Sequence, residues 1–189
     1  MIKRIETQVE RDKRRQRNNL IIGVVMILLI GLSSLGYAIM SKPDSSSTTS
    51  VKYGNLEFVK SNDLWVTTIN SGVFYFNNLP GEVANVSISG NYDLNNYSGK
   101  TVYFVNINPA VNTLNYLFDG IALRVQEACL VGQNCTKADL PVKNCGENVF
   151  VFDVLKNETK VYKNQNCVFL EGNSFEAVDK LIYRFFNIA

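Results

Sequence analysis

The chain has 189 residues, in which 19 lysines and arginines nearly balance 17 acidic residues and histidine is absent. The near balance excludes the strongly basic surface from which nucleic-acid-binding domains draw most of their affinity. The lack of histidine excludes every Ser-His-Asp triad, Cys-His pair and histidine-ligated metal site. We therefore expect no nucleic-acid partner and no cofactor.

The first predicted element is a transmembrane helix over residues 20–40, which contain no charged side chain. A helix of this length covers the hydrocarbon core of a membrane, which is about 30 Å thick. Basic residues are concentrated in the preceding residues 1–19, so the positive-inside rule predicts a cytoplasmic basic tail. The alternative is an export signal cleaved after Ala38, because Gly36 and Ala38 have the spacing that signal peptidase accepts.

Residues 41–51 are predicted to be a flexible linker, since this serine-rich stretch has almost no apolar side chain to bury. Residues 52–189 are long enough for one domain with its own core. The predicted orientation of the helix places this domain outside the cytoplasm, so we expect a single-pass protein of the cell membrane with an extracellular C-terminal domain.

The domain is predicted to be α+β, with a mixed, mostly antiparallel sheet and two packed helices. Three β-rich runs, which start at Leu56, Leu64 and Val73, are separated by the turn sequences SND and NSG. This pattern predicts an antiparallel meander. Five further runs have strand character, namely VANVSI, TVYFVNI, ENVFVFDV, TKVYK and CVFLEG.

The first helix of the domain is predicted from about Pro109 to Cys129, because Asn108 precedes a first-turn proline and apolar residues from Val111 to Val125 recur at helical spacing. The second helix closes the chain. A capping-box-like pair, Asn173 with Glu176, precedes an apolar stripe. The stripe consists of Val178, Leu181, Ile182, Phe185 and Phe186, and we interpret it as part of the core.

All four cysteines, Cys129, Cys135, Cys145 and Cys167, follow the predicted membrane segment. An even number of cysteines in an oxidising compartment predicts disulfides, and three connectivities are possible. We favour Cys129 with Cys135 and Cys145 with Cys167, because the second pair would join the starts of two strands. The cysteine spacings fit neither a zinc site nor a C-x-x-C redox motif.

Four asparagines lie in tripeptides that fit the N-glycosylation acceptor, which suits a domain outside the cytoplasm. They are Asn85, Asn96, Asn134 and Asn157. Two carboxylate pairs, Asp119 with Glu127 and Glu147 with Asp153, are candidates for glycosidase-type catalysis. Isolated acids on amphipathic elements, however, usually belong to a solvated surface.

Three segments, NCGENVFVF, NCVFLEGN and AVDKLIYRFFNIA, resemble small archaeal membrane-anchored proteins of unknown function with one N-terminal span and a cysteine-containing α+β ectodomain. The resemblance covers roughly the last 50 residues. It implies an archaeal, surface-facing origin, with no assigned activity. The chain is also similar to type IV pilin-like subunits, but the junction Arg17-Asn18-Asn19-Leu20 lacks the residues expected around a prepilin cleavage site.

The function expected from these features is non-catalytic binding or assembly at the cell surface, with an unknown protein partner or small ligand. One alternative is an anchored enzyme that uses carboxylates or hydroxyls, and another is a solute-binding sensor. A deep pocket with convergent acids would favour the enzyme, whereas a shallow surface with exposed apolar side chains would favour partner binding.

Overall fold

A computed structural model of the chain describes residues 18–30, 49–135, 137 and 139–188. The chain divides into two compact units, Met1–Ser47 and Thr48–Ala189. In the first unit, residues 18–30 form helix α1. Of the helices in the described residues, none is both long enough and apolar enough to cross a membrane.

Several predicted features of the N-terminal region lie wholly or partly outside the described residues. These are the basic tail, the second half of the apolar segment 20–40, the cleavage position after Ala38 and most of the linker. The transmembrane helix and its orientation therefore stay predictions.

The second unit begins with a four-stranded sheet. Its strands are β1 (Ser50–Tyr53), β2 (Leu56–Ser61), β3 (Leu64–Ile69) and β4 (Gly72–Phe76). Each strand pairs with the next in antiparallel direction, so the predicted meander is confirmed. Asn70 and Ser71 connect β3 to β4 with φ angles of 48° and 69°. Positive φ at both central residues is typical of the type I′ turn that closes a two-residue hairpin.

A six-stranded sheet and a short separate pair of strands follow. The strands are β5 (Ser87–Ser89), β6 (Thr101–Val105), β7 (Arg124–Glu127), β8 (Cys129–Leu130), β9 (Val142–Lys143), β10 (Asn148–Asp153), β11 (Lys160–Asn164) and β12 (Cys167–Glu171). The six-stranded sheet has the order β5-β11-β12-β10-β6-β7, and β8 pairs with β9.

Strand direction differs from the prediction in this larger sheet. Only β11 and β12 are antiparallel neighbours, and the other four pairings are parallel. The α+β class is confirmed, but the mostly antiparallel character holds for the four-stranded sheet only. Alternation of apolar residues places side chains on a face and does not specify the direction of the neighbouring strand.

Helix α2 spans Val111–Phe118, so the predicted helix from Pro109 to Cys129 is wrong in its second half. Gly120 has a φ of 76°, and this left-handed residue ends the helix directly after its C-cap, Asp119. Val125, which the apolar spacing assigned to the helix, lies on the edge strand β7.

Helix α3 spans Ser174–Phe185 and begins where the capping pattern predicts. The Asn173 side chain accepts hydrogen bonds from the main-chain N–H groups of Phe175 and Glu176. Its amide also donates to the Glu176 carboxylate over 2.9 Å. The predicted apolar stripe is buried except for Phe186, which follows the helix and is half-buried.

Helix α3 joins the two sheets through one hydrophobic core. Its Tyr183 stacks on Phe76 of the four-stranded sheet, with ring centroids 4.6 Å apart, and meets Phe58 edge to face. The helix also packs against β11 and β12 of the six-stranded sheet. Because the helix contacts both sheets, its side chains are buried around most of its circumference.

Candidate functional site

An open groove lies between the turn that joins β3 to β4, a 3-10 turn at Leu94–Tyr97 and the C-terminal half of α2. Its volume is about 540 Å³, which is within the range of ligand-binding pockets. We call it the α2 groove. It belongs entirely to the Thr48–Ala189 unit.

Aromatic side chains from three parts of the chain form one wall of the α2 groove. Phe74, on the inner face of β4, contacts Tyr116 of α2 and Phe186 after α3, with ring centroids 5.4 and 5.3 Å apart. Both contacts are edge-to-face, an arrangement that aromatic rings prefer. Tyr116 is 49% exposed. Its ring is therefore held by Phe74 on one side and is accessible to a ligand on the other.

Exposed polar side chains complete the lining of the α2 groove, and they are Asn70, Asn95, Ser98 and Asp119. Local backbone structure sets the positions of Asn70, Asp119 and Asn95. Asn70 lies in the type I′ turn, and Asp119 is the C-cap of α2. The 3-10 turn presents Asn95, whose main-chain N–H donates to the Asp93 carboxylate over 2.9 Å. These amide, hydroxyl and carboxylate groups supply both donors and acceptors to a ligand.

The two predicted carboxylate pairs are separated by whole strands. Glu147 precedes β10 and Asp153 ends it, so a strand of about 3.3 Å per residue keeps them apart. Asp119 lines the α2 groove, whereas Glu127 lies at the far end of β7 and forms an ion pair with Lys137 over 2.7 Å. The geometry therefore does not supply the two facing carboxylates that glycosidase-type chemistry needs.

Both cysteine pairs form as predicted. Cys129 is bonded to Cys135 and Cys145 to Cys167, with Cα–Cα distances of 5.7 and 4.9 Å. Cys145 and Cys167 also belong to a second, smaller apolar cluster, on the face of the six-stranded sheet opposite the main core. This bond ties the segment before β10 to the start of β12, which gives it a role in packing.

The four asparagines of the glycosylation tripeptides are all exposed. They lie before β5, in the 3-10 turn, beside Cys135 and after β10. Their exposure is what attachment of a glycan requires, and modification itself stays a prediction.

Sequence reasoning missed a buried carboxyl group on α3. Asp179 is 0% exposed, and its Oδ2 atom accepts hydrogen bonds from the main-chain N–H groups of Asn77 and Asn78 over 3.0 and 2.8 Å. The Asn78 side-chain amide donates to the same oxygen over 2.9 Å. The Tyr183 hydroxyl donates to the Asn78 carbonyl oxygen over 2.6 Å. These four residues, the Asp179 cluster, fasten the segment after β4 to α3.

Burial raises the pKa of Asp179 to about 7, from an ordinary value of 3.8. The hydrogen bonds from Asn78 and Asn77 favour the charged form but do not offset burial, and the nearby Glu82 raises the pKa further. Asp179 Oδ1 has no hydrogen-bond partner among the described residues. A sequence signal was available, because Asp179 directly follows Val178 at the margin of the apolar stripe of α3, where a buried carboxyl group needs partners.

In the part of the chain that the structure describes, no group of three or more cysteine, aspartate or glutamate side chains could hold a metal ion. No family model matches the chain, and no significant match occurs among the curated proteins or the solved structures. The resemblance to archaeal membrane-anchored proteins therefore stays a prediction.

Proposed function

We propose that this chain is a membrane-anchored binding or assembly protein whose domain lies outside the cytoplasm and receives its partner in the α2 groove. The observation that carries the proposal is the combination, in one open groove, of the exposed Tyr116 ring with four exposed polar side chains. Binding sites typically combine apolar surface with a few polar groups that orient the ligand.

Charge narrows the chemistry of the partner. Of the described residues that line the α2 groove, Asp119 is the one that carries a charge. An anionic group would meet this carboxylate without a compensating cation. A basic group would be attracted by Asp119 and could lie over the face of Tyr116, and an uncharged polar group would bind the neighbouring amides. We therefore expect the bound segment to be uncharged or basic.

Three features support the placement outside the cytoplasm. Disulfides persist mainly in oxidising compartments, and this domain has two. The apolar residues 20–40 follow a basic segment, which is the arrangement of an N-terminal anchor with the rest of the chain translocated. The asparagines of all four glycosylation tripeptides are exposed.

The proposal is tested by photo-crosslinking in native membranes. The full chain would carry the photoreactive side chain p-benzoylphenylalanine in place of Tyr116. The matched control would carry it in place of Leu155, which is 90% exposed and lies outside the groove lining. We expect a discrete product, identified by mass spectrometry, from the Tyr116 position and not from the Leu155 position.

A second substitution tests whether the groove itself recognises the partner. Asn95→Ala, introduced beside the photoreactive group, should lower the yield of product several-fold, because one hydrogen bond contributes about 1 kcal/mol. The same products from both labelled positions, or none from the Tyr116 position, would contradict a binding role for the α2 groove.

A further inference from the structure

The edges of the two larger sheets differ in how well they are protected against pairing with another strand. Charged residues, short length and proline are the usual protections. Strand β1 carries Lys52, β7 carries Arg124 and Glu127, and β5 has only three residues. Strand β4, with the sequence GVFYF, has five residues and neither a charge nor a proline. Of these four edges, β4 is therefore the one best suited to pairing.

Hairpin geometry shows which main-chain groups of β4 point away from β3. The pair that closes a two-residue hairpin, Ile69 with Gly72, exchanges hydrogen bonds, and such pairs then alternate with non-bonded pairs along an antiparallel ladder. Val73 and Tyr75 fall at the non-bonded positions. Their N–H and C=O groups therefore point to the open edge, where the described residues supply no other main-chain partner.

We infer that β4 is a self-association edge, at which the β4 strands of two copies of this chain pair in antiparallel direction. Two-fold symmetry centred on Phe74 places Val73 opposite Tyr75 of the partner subunit. Both residues present outward-facing N–H and C=O groups, so the two strands exchange four main-chain hydrogen bonds. No like charges meet, because β4 carries none.

The side chains on the outer face of the four-stranded sheet favour this partner. Val59 lies beside Val66, and Val66 lies beside Tyr75. These three side chains form an apolar row that runs to the open edge. Tyr75, at the end of this row, is 52% exposed, and Val73, on the same face of β4, is 39% exposed. In the paired arrangement, Val73 of the partner subunit continues the row. Aromatic and β-branched residues are a favourable cross-strand combination.

The test uses the full chain in neutral detergent, with self-association measured by sedimentation and by amide hydrogen exchange at low and high protein concentration. We expect exchange at the Val73 and Tyr75 amides to slow by more than about tenfold as the protein associates, since these N–H groups become hydrogen-bonded. The Lys52 amide on the β1 edge serves as the internal control and should not respond to concentration.

Two pairs of variants separate edge pairing from other contacts. Val73→Pro removes only an outward-facing N–H, which an edge strand tolerates, while Val73→Ala keeps it. Val73→Pro should weaken self-association by more than about tenfold, because each subunit loses one main-chain hydrogen bond, and Val73→Ala should change it by less than about threefold. Tyr75→Lys should also weaken it, whereas Thr68→Lys, on the same face of β3, should not.

Concentration-independent exchange at Tyr75 would overturn the inference, as would self-association that survives both Val73→Pro and Tyr75→Lys. Should Val73→Pro fail to fold, the lysine pair decides the question. The outcome is separate from that of the proposed function, since Val73 and Tyr75 do not line the α2 groove. Crosslinking from the Tyr116 position reports on the groove whether or not the edge pairs.

Discussion

Asp179→Asn should remove a pH dependence of stability that the Asp179 cluster creates. Because the folded pKa of about 7 lies above 3.8, the folded state binds more protons than the unfolded state between these values. The stabilisation by the neutral carboxyl group is therefore complete below pH 3.8 and is lost as the pH rises through 7. The asparagine side chain is neutral at every pH, and its oxygen can still accept the hydrogen bonds from the N–H groups of Asn77 and Asn78.

The pKa difference sets the size of this pH-dependent loss of stability. One pKa unit corresponds to about 1.36 kcal/mol, so the rise from 3.8 to about 7 corresponds to a loss of roughly 4 kcal/mol in the free energy of unfolding. The titratable groups that act on Asp179 and its neighbour Tyr183 are Glu82 and Tyr53. Since the charge of Glu82 raises the pKa of Asp179, Glu82→Gln should move the loss of stability to lower pH.

Urea denaturation of the Thr48–Ala189 unit measures this effect, with the fluorescence of the single, buried Trp65 as the signal. Between about pH 5 and pH 9 the wild-type protein should lose roughly 3 kcal/mol of stability relative to Asp179→Asn. Groups that titrate elsewhere affect both proteins equally and cancel in the comparison. Parallel pH profiles for the two proteins would refute the reasoning, because they would mean that Asp179 has the same pKa folded and unfolded.

Three further outcomes are expected. Cys145→Ser with Cys167→Ser should lower the free energy of unfolding by about 2–5 kcal/mol in urea denaturation, and free thiols at these positions in freshly isolated protein would contradict the disulfide. Gly120→Ala should cost about 1–2 kcal/mol in the same assay, because its φ of 76° is unfavourable for a side chain although the space around it is open. The protein should remain in the membrane fraction at full mass, and mass spectrometry that finds Ile39 as the first residue would instead show cleavage after Ala38.

Elements whose start or turn is marked by residues close together in the chain could be predicted from the sequence. Asn173 and Glu176 mark the start of α3 within four residues, and the NSG turn places the β3–β4 hairpin. The end of α2 was misplaced because apolar residues continue at helical spacing as far as Val125. The left-handed backbone at Gly120 outweighed that spacing, and the following residues became an edge strand.

The α2 groove could not be predicted, because its parts are distant in the chain. Asn95, Tyr116 and Phe186 are distant in the chain. Tyr116 and Phe186 come together only because both pack against Phe74 of β4. The Cys145–Cys167 disulfide was predictable because Cys145 closely precedes one strand run and Cys167 opens another. Whether two strands are parallel neighbours depends on pairing between distant parts of the chain. The apolar pattern within one strand does not show which strand pairs with it or in which direction.

The position of α3 between the sheets has a consequence for how the protein is made. Every strand that the structure describes precedes α3 in the chain. Helix α3 nevertheless covers Phe58 and Phe76 of the four-stranded sheet and the inner faces of β11 and β12. During synthesis, neither sheet has its complete set of packing partners until α3 has left the ribosome. A chain that crosses a membrane while it is being translated would therefore keep these apolar strand faces exposed until α3 arrives.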